Sequence, residues 1–336
     1  LVLRAHDDGI AFRYRVLGTG PVTVEREHTG FAVPVGRRGF LAPFDLAGLL
    51  PGTYEHPYRE QDVSEPAGLS SGFVYPALFE LDSELAMITE SDPSAAYCVT
   101  RLDGDPVDGV YRVRMPEPFE GLGVGEALPS STLPLETPFR VVMIGSPETI
   151  VESTLVDDLA RPSVLADTSW IHPGRSAWSW PTQGTGDVAL ATSYATFARD
   201  MGWEYVLVDA GWDTWANASV SMPAFVSAAA AQNVRVLLWY NSGGPTSPDA
   251  GTPRDIMNDP VLREAEMAKL EAWGVAGIKV DFFQSDKQER VQAYLGVLDD
   301  AARHHLVVNF HGATLPRGWA RTYPNLLTTE AVRGGE

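Results

Sequence analysis

The sequence predicts a multidomain chain, a β-sandwich followed by a (β/α)8 TIM-type barrel. Three observations carry that reading. The first 160 residues alternate apolar and polar side chains at period two, with no long helical period among them. From Asp167 onward, short β-branched or aromatic runs alternate with helical stretches, which is the pattern of βαβ units. The length of 336 residues exceeds one small domain, so two are expected. The boundaries read as 1–160 for the sandwich, partial at its start, and 161–336 for the barrel. The barrel reads as truncated after about six strands.

In the first half, strands are expected at 11–16, 72–75, 111–115 and 139–144. Turns lie at clusters such as Leu50-Pro51-Gly52 and Asp103-Gly104-Asp105-Pro106. In the second half, strands are expected at 176–180, 205–209, 234–240, 277–282, 306–310 and 326–329. Helices are expected at 190–201, 223–231, 260–273 and 288–304. Asp259 followed by Pro260 is a helix start, with a capping carboxylate before proline at the first helical position. No glycine-rich nucleotide loop follows a strand, which favours a barrel over a doubly wound sheet. The chain begins at Leu1, already in strand-like sequence and with no signal peptide, as if cut from something longer.

A net charge of −19 without a Lys/Arg cluster repels phosphate backbones and anionic lipid, so neither nucleic acid nor membrane is an expected partner. A neutral sugar or a hard cation meets no such barrier. The single cysteine, Cys98, excludes an internal disulfide and reads as a small buried residue.

Chemistry in a parallel barrel collects where strands end. The strand ends here carry Trp178 and Trp180, then Asp209 and Trp212, then Trp239 and Asn241. After these come Lys279 with Asp281, Asn309 with His311, and finally Glu330, Arg333 and Glu336. Flat aromatic faces and forked polar groups are what a sugar site needs. Each also has a quieter explanation. Asp209 suits a helix cap, Lys279 with Asp281 a buried structural ion pair, and His311 a satisfied core histidine. Nucleophile elbow, zinc spacing and P-loop patterns are absent, which leaves carboxylate-based hydrolysis as the barrel's chemistry.

The stretch 170–180 (Trp-Ile-His-Pro-Gly-Arg-Ser-Ala-Trp-Ser-Trp), the stretch 205–212 and Gly277-Ile278-Lys279-Val280-Asp281-Phe282 occur in order, followed by residues 321–334. Together they resemble glycoside hydrolase family 97, and residues 4–14 are similar to its N-terminal β-sandwich. The resemblance implies a calcium-dependent, exo-acting α-glucosidase or α-galactosidase. It also implies that Asp281 is the nucleophile of a retaining member, and that Glu336, closing Arg333-Gly334-Gly335-Glu336, is the general acid/base. Inverting members carry glutamates after the third and fifth strands, where this sequence has Gly243 and Gly312. The retaining branch resembles α-galactosidases, so an α-linked galactoside or oligosaccharide is the expected substrate. Trp178, Asp209, Trp212, Asn241, Lys279 and His311 are the expected sugar contacts. Ca²⁺ is expected at Glu330 together with Glu55 and Glu60 of the β-rich half, because the family holds its ion with glutamates from both domains. The alternatives are an inverting α-glucosidase of the same fold and a non-catalytic carbohydrate-binding protein. A bacterial periplasmic or secreted location is expected, with the cytoplasm as the alternative; the sequence leaves the oligomeric state open.

Overall fold

The computed structural model describes residues 1–44, 52–66 and 71–335. The N-terminal half is mostly antiparallel sheet. Seven strands pair in the order Val2–His6, Gly9–Arg13, Phe139–Gly145, Leu85–Ser91, Ala77–Glu80, Arg38–Leu41, Arg59–Asp62. A three-stranded sheet, with Val110–Arg114 between Gly30–Ala32 and Arg101–Leu102, shares a core with it. There the Tyr111 ring lies 5.0 Å from Phe79 and 6.2 Å from Phe73. Two expected strands differ. The run 11–16 breaks at Tyr14, between Gly9–Arg13 and Arg15–Thr23. The run 72–75 makes isolated bridges through Phe73 and is otherwise irregular. Cys98 is a free, fully buried thiol, as expected.

The C-terminal half holds six parallel strands: β1 (Ser176–Trp178), β2 (Tyr205–Val208), β3 (Arg235–Asn241), β4 (Gly277–Asp281), β5 (Val307–Phe310) and β6 (Leu326–Thr329). They pair in chain order, without the reversal that marks a doubly wound sheet. Helices Val188–Met201, Ala218–Ala230, Pro260–Trp273 and Gln288–Arg303 connect them. Asp187 and Asp259 cap two of these helices, each accepting two backbone amides at 2.8–3.0 Å. Each such cap contributes about 1 kcal/mol. The helix expected to begin at Pro223 starts a turn earlier, at Ala218. Pro223 thus stands inside the helix, at its sixth residue, where lacking an N–H it forfeits one intrahelical hydrogen bond.

Strand β4 positions the chemistry. All five of its residues are buried, and alternation sends Ile278 and Val280 to one face and Lys279 and Asp281 to the other. Register sets Trp239 opposite Lys279 and Asn241 opposite Asp281. The loop after β4 then runs into the N-terminal half. Lys287 Nζ donates to the Pro118, Val124 and Gly125 carbonyls at 2.9–3.1 Å, which joins the two halves.

Candidate active site

A cleft of about 510 Å³ opens where these strands end, a size suited to a small molecule. Asp281, Lys279, Asp209, His311, Glu330, Trp239 and Phe282 line it from the barrel, and Thr53 and Glu55 line it from the N-terminal half.

The Asp281 carboxylate is fixed from two sides. Its Oδ2 accepts the Trp239 indole N–H at 2.9 Å, and its Oδ1 accepts the Phe282 amide at 2.9 Å. Lys279 Nζ lies 3.4 Å and His311 Nδ1 3.5 Å from Oδ2. Burial works to raise its pKa, but the His311 hydrogen bond and the Lys279 charge outweigh that and hold it below the usual carboxylate range. Asp281 is therefore a buried, oriented anion at neutral pH. Phe282, the next residue, has φ 69°, a left-handed conformation that a bulky side chain adopts only at a cost.

Lys279 is shared. Its Nζ lies 3.3 Å from Asp209 and 4.1 Å from the centre of the Trp178 ring, whose own N–H donates to Asp209 at 2.7 Å. His311 joins Asp281 to Glu330, with Nδ1 2.9 Å from Glu330 Oε2, and Glu330 also accepts the Gly312 amide at 2.8 Å. Burial works to lower the imidazole pKa, but its hydrogen bonds to Asp281 and Glu330 carry it up to about 9. Glu55 enters from the other half. Burial, and then the negative charge of Glu330, push its carboxyl up to about 7.

Residues 1–162 match the description glycosyl-hydrolase 97 N-terminal, and residues 170–332 match glycoside hydrolase 97. The chain belongs to glycoside hydrolase family 97. A probable retaining alpha-galactosidase of Streptomyces bingchenggensis is 34% identical, over 100% of this chain and 50% of its own. A retaining alpha-galactosidase of Bacteroides thetaiotaomicron is 26% identical, over 99% of this chain and 54% of its own. The chain thus spans about half the length of these curated relatives. The crystal structure of a beta-arabinopyranosidase superposes with a TM-score of 0.92 at 35% identity, covering 99% of this chain and 55% of that one. A family 97 enzyme from Pseudoalteromonas, in complex with acarbose, superposes at 0.81 over 99% of this chain and 54% of that one, and at 21% identity it bears on the fold.

Within this family 97 chain several expected residues take other roles. Trp212 does not wall the cleft. It is buried in the core, edge-on to Tyr240 and Trp273, with its N–H donated to the Trp239 carbonyl at 2.9 Å. Asn241 is fully buried and bonded to its own loop, donating to Asp249 and Gly251 carbonyls and accepting the Gly243 amide. It shapes the loop and is not among the residues that line the cleft. Glu60 points elsewhere: it is exposed on Arg59–Asp62 and ion-paired with Arg38, so it does not join Glu55. Glu336 lies outside the described residues. Sequence reasoning named Trp180, Trp239 and Phe282 only as strand-end or motif residues, without a site role, and passed over Thr53 and Asp249; all five line the cleft. Strand-end position alone marks Trp239 and Phe282. Asp249 sits mid-loop, where no spacing rule points to it.

Among the described residues, no group of three or more His, Cys, Asp or Glu side chains is arranged to hold a metal ion. Glu55 and Glu330 do face one cleft, and their mutual repulsion is the kind a hard cation relieves.

Proposed function

We propose that the chain carries the catalytic centre of a retaining, exo-acting α-glycosidase whose preferred substrate is an α-galactoside. The observation that carries this reading is the contact between Gly312 and Asp281. A Cβ added at residue 312 would lie 2.9 Å from Asp281 Oδ1 and 3.0 Å from the Phe282 nitrogen, on a backbone with φ +50°. A base side chain at the end of β5 and a carboxylate at Asp281 therefore compete for the same space. With glycine at 312 and aspartate at 281, the chain is built for nucleophilic attack, which argues against the inverting alternative.

In this reading Asp281 attacks the anomeric carbon as the bond to the leaving oxygen breaks, and Glu336 delivers a proton to that oxygen. Water then gives its proton to Glu336 and its oxygen to the anomeric carbon, releasing Asp281. Lys279 and His311 keep the nucleophile ionised between turnovers, while Trp180 and Phe282 flank the sugar. Calcium would be held by Glu55 and Glu330, where it would supply positive charge and orientation for substrate hydroxyls. The bacterial periplasm or exterior remains the proposed location.

The two curated relatives carry the galactoside preference. The likeness to a beta-arabinopyranosidase supports a second substrate. β-L-Arabinopyranose has the ring configuration of α-D-galactopyranose without the exocyclic hydroxymethyl, so the same ring contacts suit both. Rates on p-nitrophenyl α-galactoside and β-L-arabinopyranoside should both exceed that on the α-glucoside; a faster α-glucoside would overturn the preference. The nucleophile is tested by replacing Asp281 with glycine and adding azide. Recovery of a β-galactosyl azide is expected, and recovery of free sugar alone would contradict the assignment. Binding without any turnover by the full-length protein would favour a carbohydrate-binding role.

A further inference from the structure

We propose that Tyr54 is a positioning residue, whose phenol locks residues 52–56 of the N-terminal half onto the barrel and so holds Glu55 in the cleft. This rests on the glycosidase reading of that cleft. Glu55 belongs to a loop with no regular structure of its own, yet it must meet groups from β5 and β6. Its neighbour Tyr54 is buried, and its backbone φ of 61° is one that L side chains rarely adopt. A conformation of this kind persists only where the surroundings fix it.

The phenol supplies that fixation. Its O–H lies 3.0 and 2.9 Å from the two Asp286 oxygens, and its oxygen accepts Arg317 Nη2 at 2.9 Å. Asp286 stands five residues beyond Asp281 on the loop after β4, and Arg317 six beyond His311 on the loop after β5. One hydroxyl thus ties the Glu55 loop to the two barrel loops that follow Asp281 and begin at His311. Arg101 of the N-terminal half closes the link, 3.3 Å from Asp286 and 2.7 Å from Glu120, with both side chains of each ion pair fully buried. The loop is also seated by backbone contact. A Cβ at Gly52 would lie 2.7 Å from the Gln284 carbonyl carbon and 2.8 Å from the Ser285 nitrogen.

A buried phenol can equally serve stability alone, so the test needs a matched control. Tyr240 donates a buried hydrogen bond to Glu266 at 2.7 Å on the helix side of the barrel. In the full-length protein, Tyr54→Phe and Tyr240→Phe should lose similar thermal stability. Tyr54→Phe alone should lower kcat/KM by about tenfold, as expected for losing a hydrogen bond to a charged partner. Asp286→Asn, which keeps one acceptor, should show a smaller loss in the same direction. In a Glu55→Gln background Tyr54→Phe should add no further loss, because both changes remove one function. Amide exchange across residues 52–56 should quicken in Tyr54→Phe and not in Tyr240→Phe. Multiplying effects in the double variant, or unchanged exchange at 52–56, would overturn the proposal. A wild-type protein without turnover defeats the glycosidase reading instead, and the exchange measurement then decides the positioning claim by itself.

Discussion

Lys279 faces two buried carboxylates, Asp209 and Asp281, and an indole ring, with almost no exposure to water. A single ammonium in that position offsets repulsion between the acids that bulk solvent cannot screen. Lys279→Met should therefore cost about 3 kcal/mol or more of stability, because it leaves buried charge unpaired; urea unfolding measures this, and a loss under 1 kcal/mol would show the pair to be dispensable. Asp281→Asn should cut turnover by at least about a thousandfold while leaving the fold intact. Gly312→Ala separates geometry from charge: its methyl strikes Asp281 Oδ1, so kcat should fall although no catalytic group is removed. Unchanged kcat in that variant would mean the proposed nucleophile is not confined as described.

At the scale of elements, strand Phe139–Gly145 carries a second buried ion network. Arg140 pairs with Glu27 at 2.5 Å and with Glu90, which also meets Arg317 at 2.7 Å. Burial works to raise the Glu27 pKa, but the Arg140 charge and hydrogen bonds outweigh it, so the net shift is downward. A carboxylate with a depressed folded pKa stabilises fully above its unfolded value, and that contribution is lost as pH falls through the folded value. Thermal midpoints should therefore fall on acidification below the ordinary glutamate range, and less steeply in Glu27→Gln; identical slopes would remove Glu27 from acid unfolding. None of these pairings could be read from the sequence. Arg140 and Glu27 stand 113 residues apart, and neither periodicity nor spacing links them. The barrel strands were legible because alternation and βα order are local signals. Lys279 and Asp281 were legible because residues two apart on a strand share a face. Trp212 and Asn241 misled because strand-end position marks where a residue leaves the sheet and does not tell which way its side chain turns.

For the whole molecule, the cleft belongs to both halves. The barrel supplies Asp281, His311 and Glu330, and the β-rich half supplies Thr53 and Glu55. Calcium dependence belongs at this scale, since the proposed carboxylates come from separate domains. Removing divalent ions with EDTA should abolish activity, and Ca²⁺ should restore it better than Mg²⁺, which sheds its waters reluctantly. Glu55→Gln should raise the Ca²⁺ concentration needed for half-maximal rate. A chelated enzyme with full activity would leave Glu55 and Glu330 as sugar-binding or structural acids. The central claim, that Asp281 acts as a nucleophile where an inverting enzyme would activate water, is tested most directly by the configuration of the first product. Proton NMR during the early hydrolysis of an α-galactoside should show α-galactose forming first, with the β-anomer appearing only through mutarotation. β-Galactose as the initial product would contradict it.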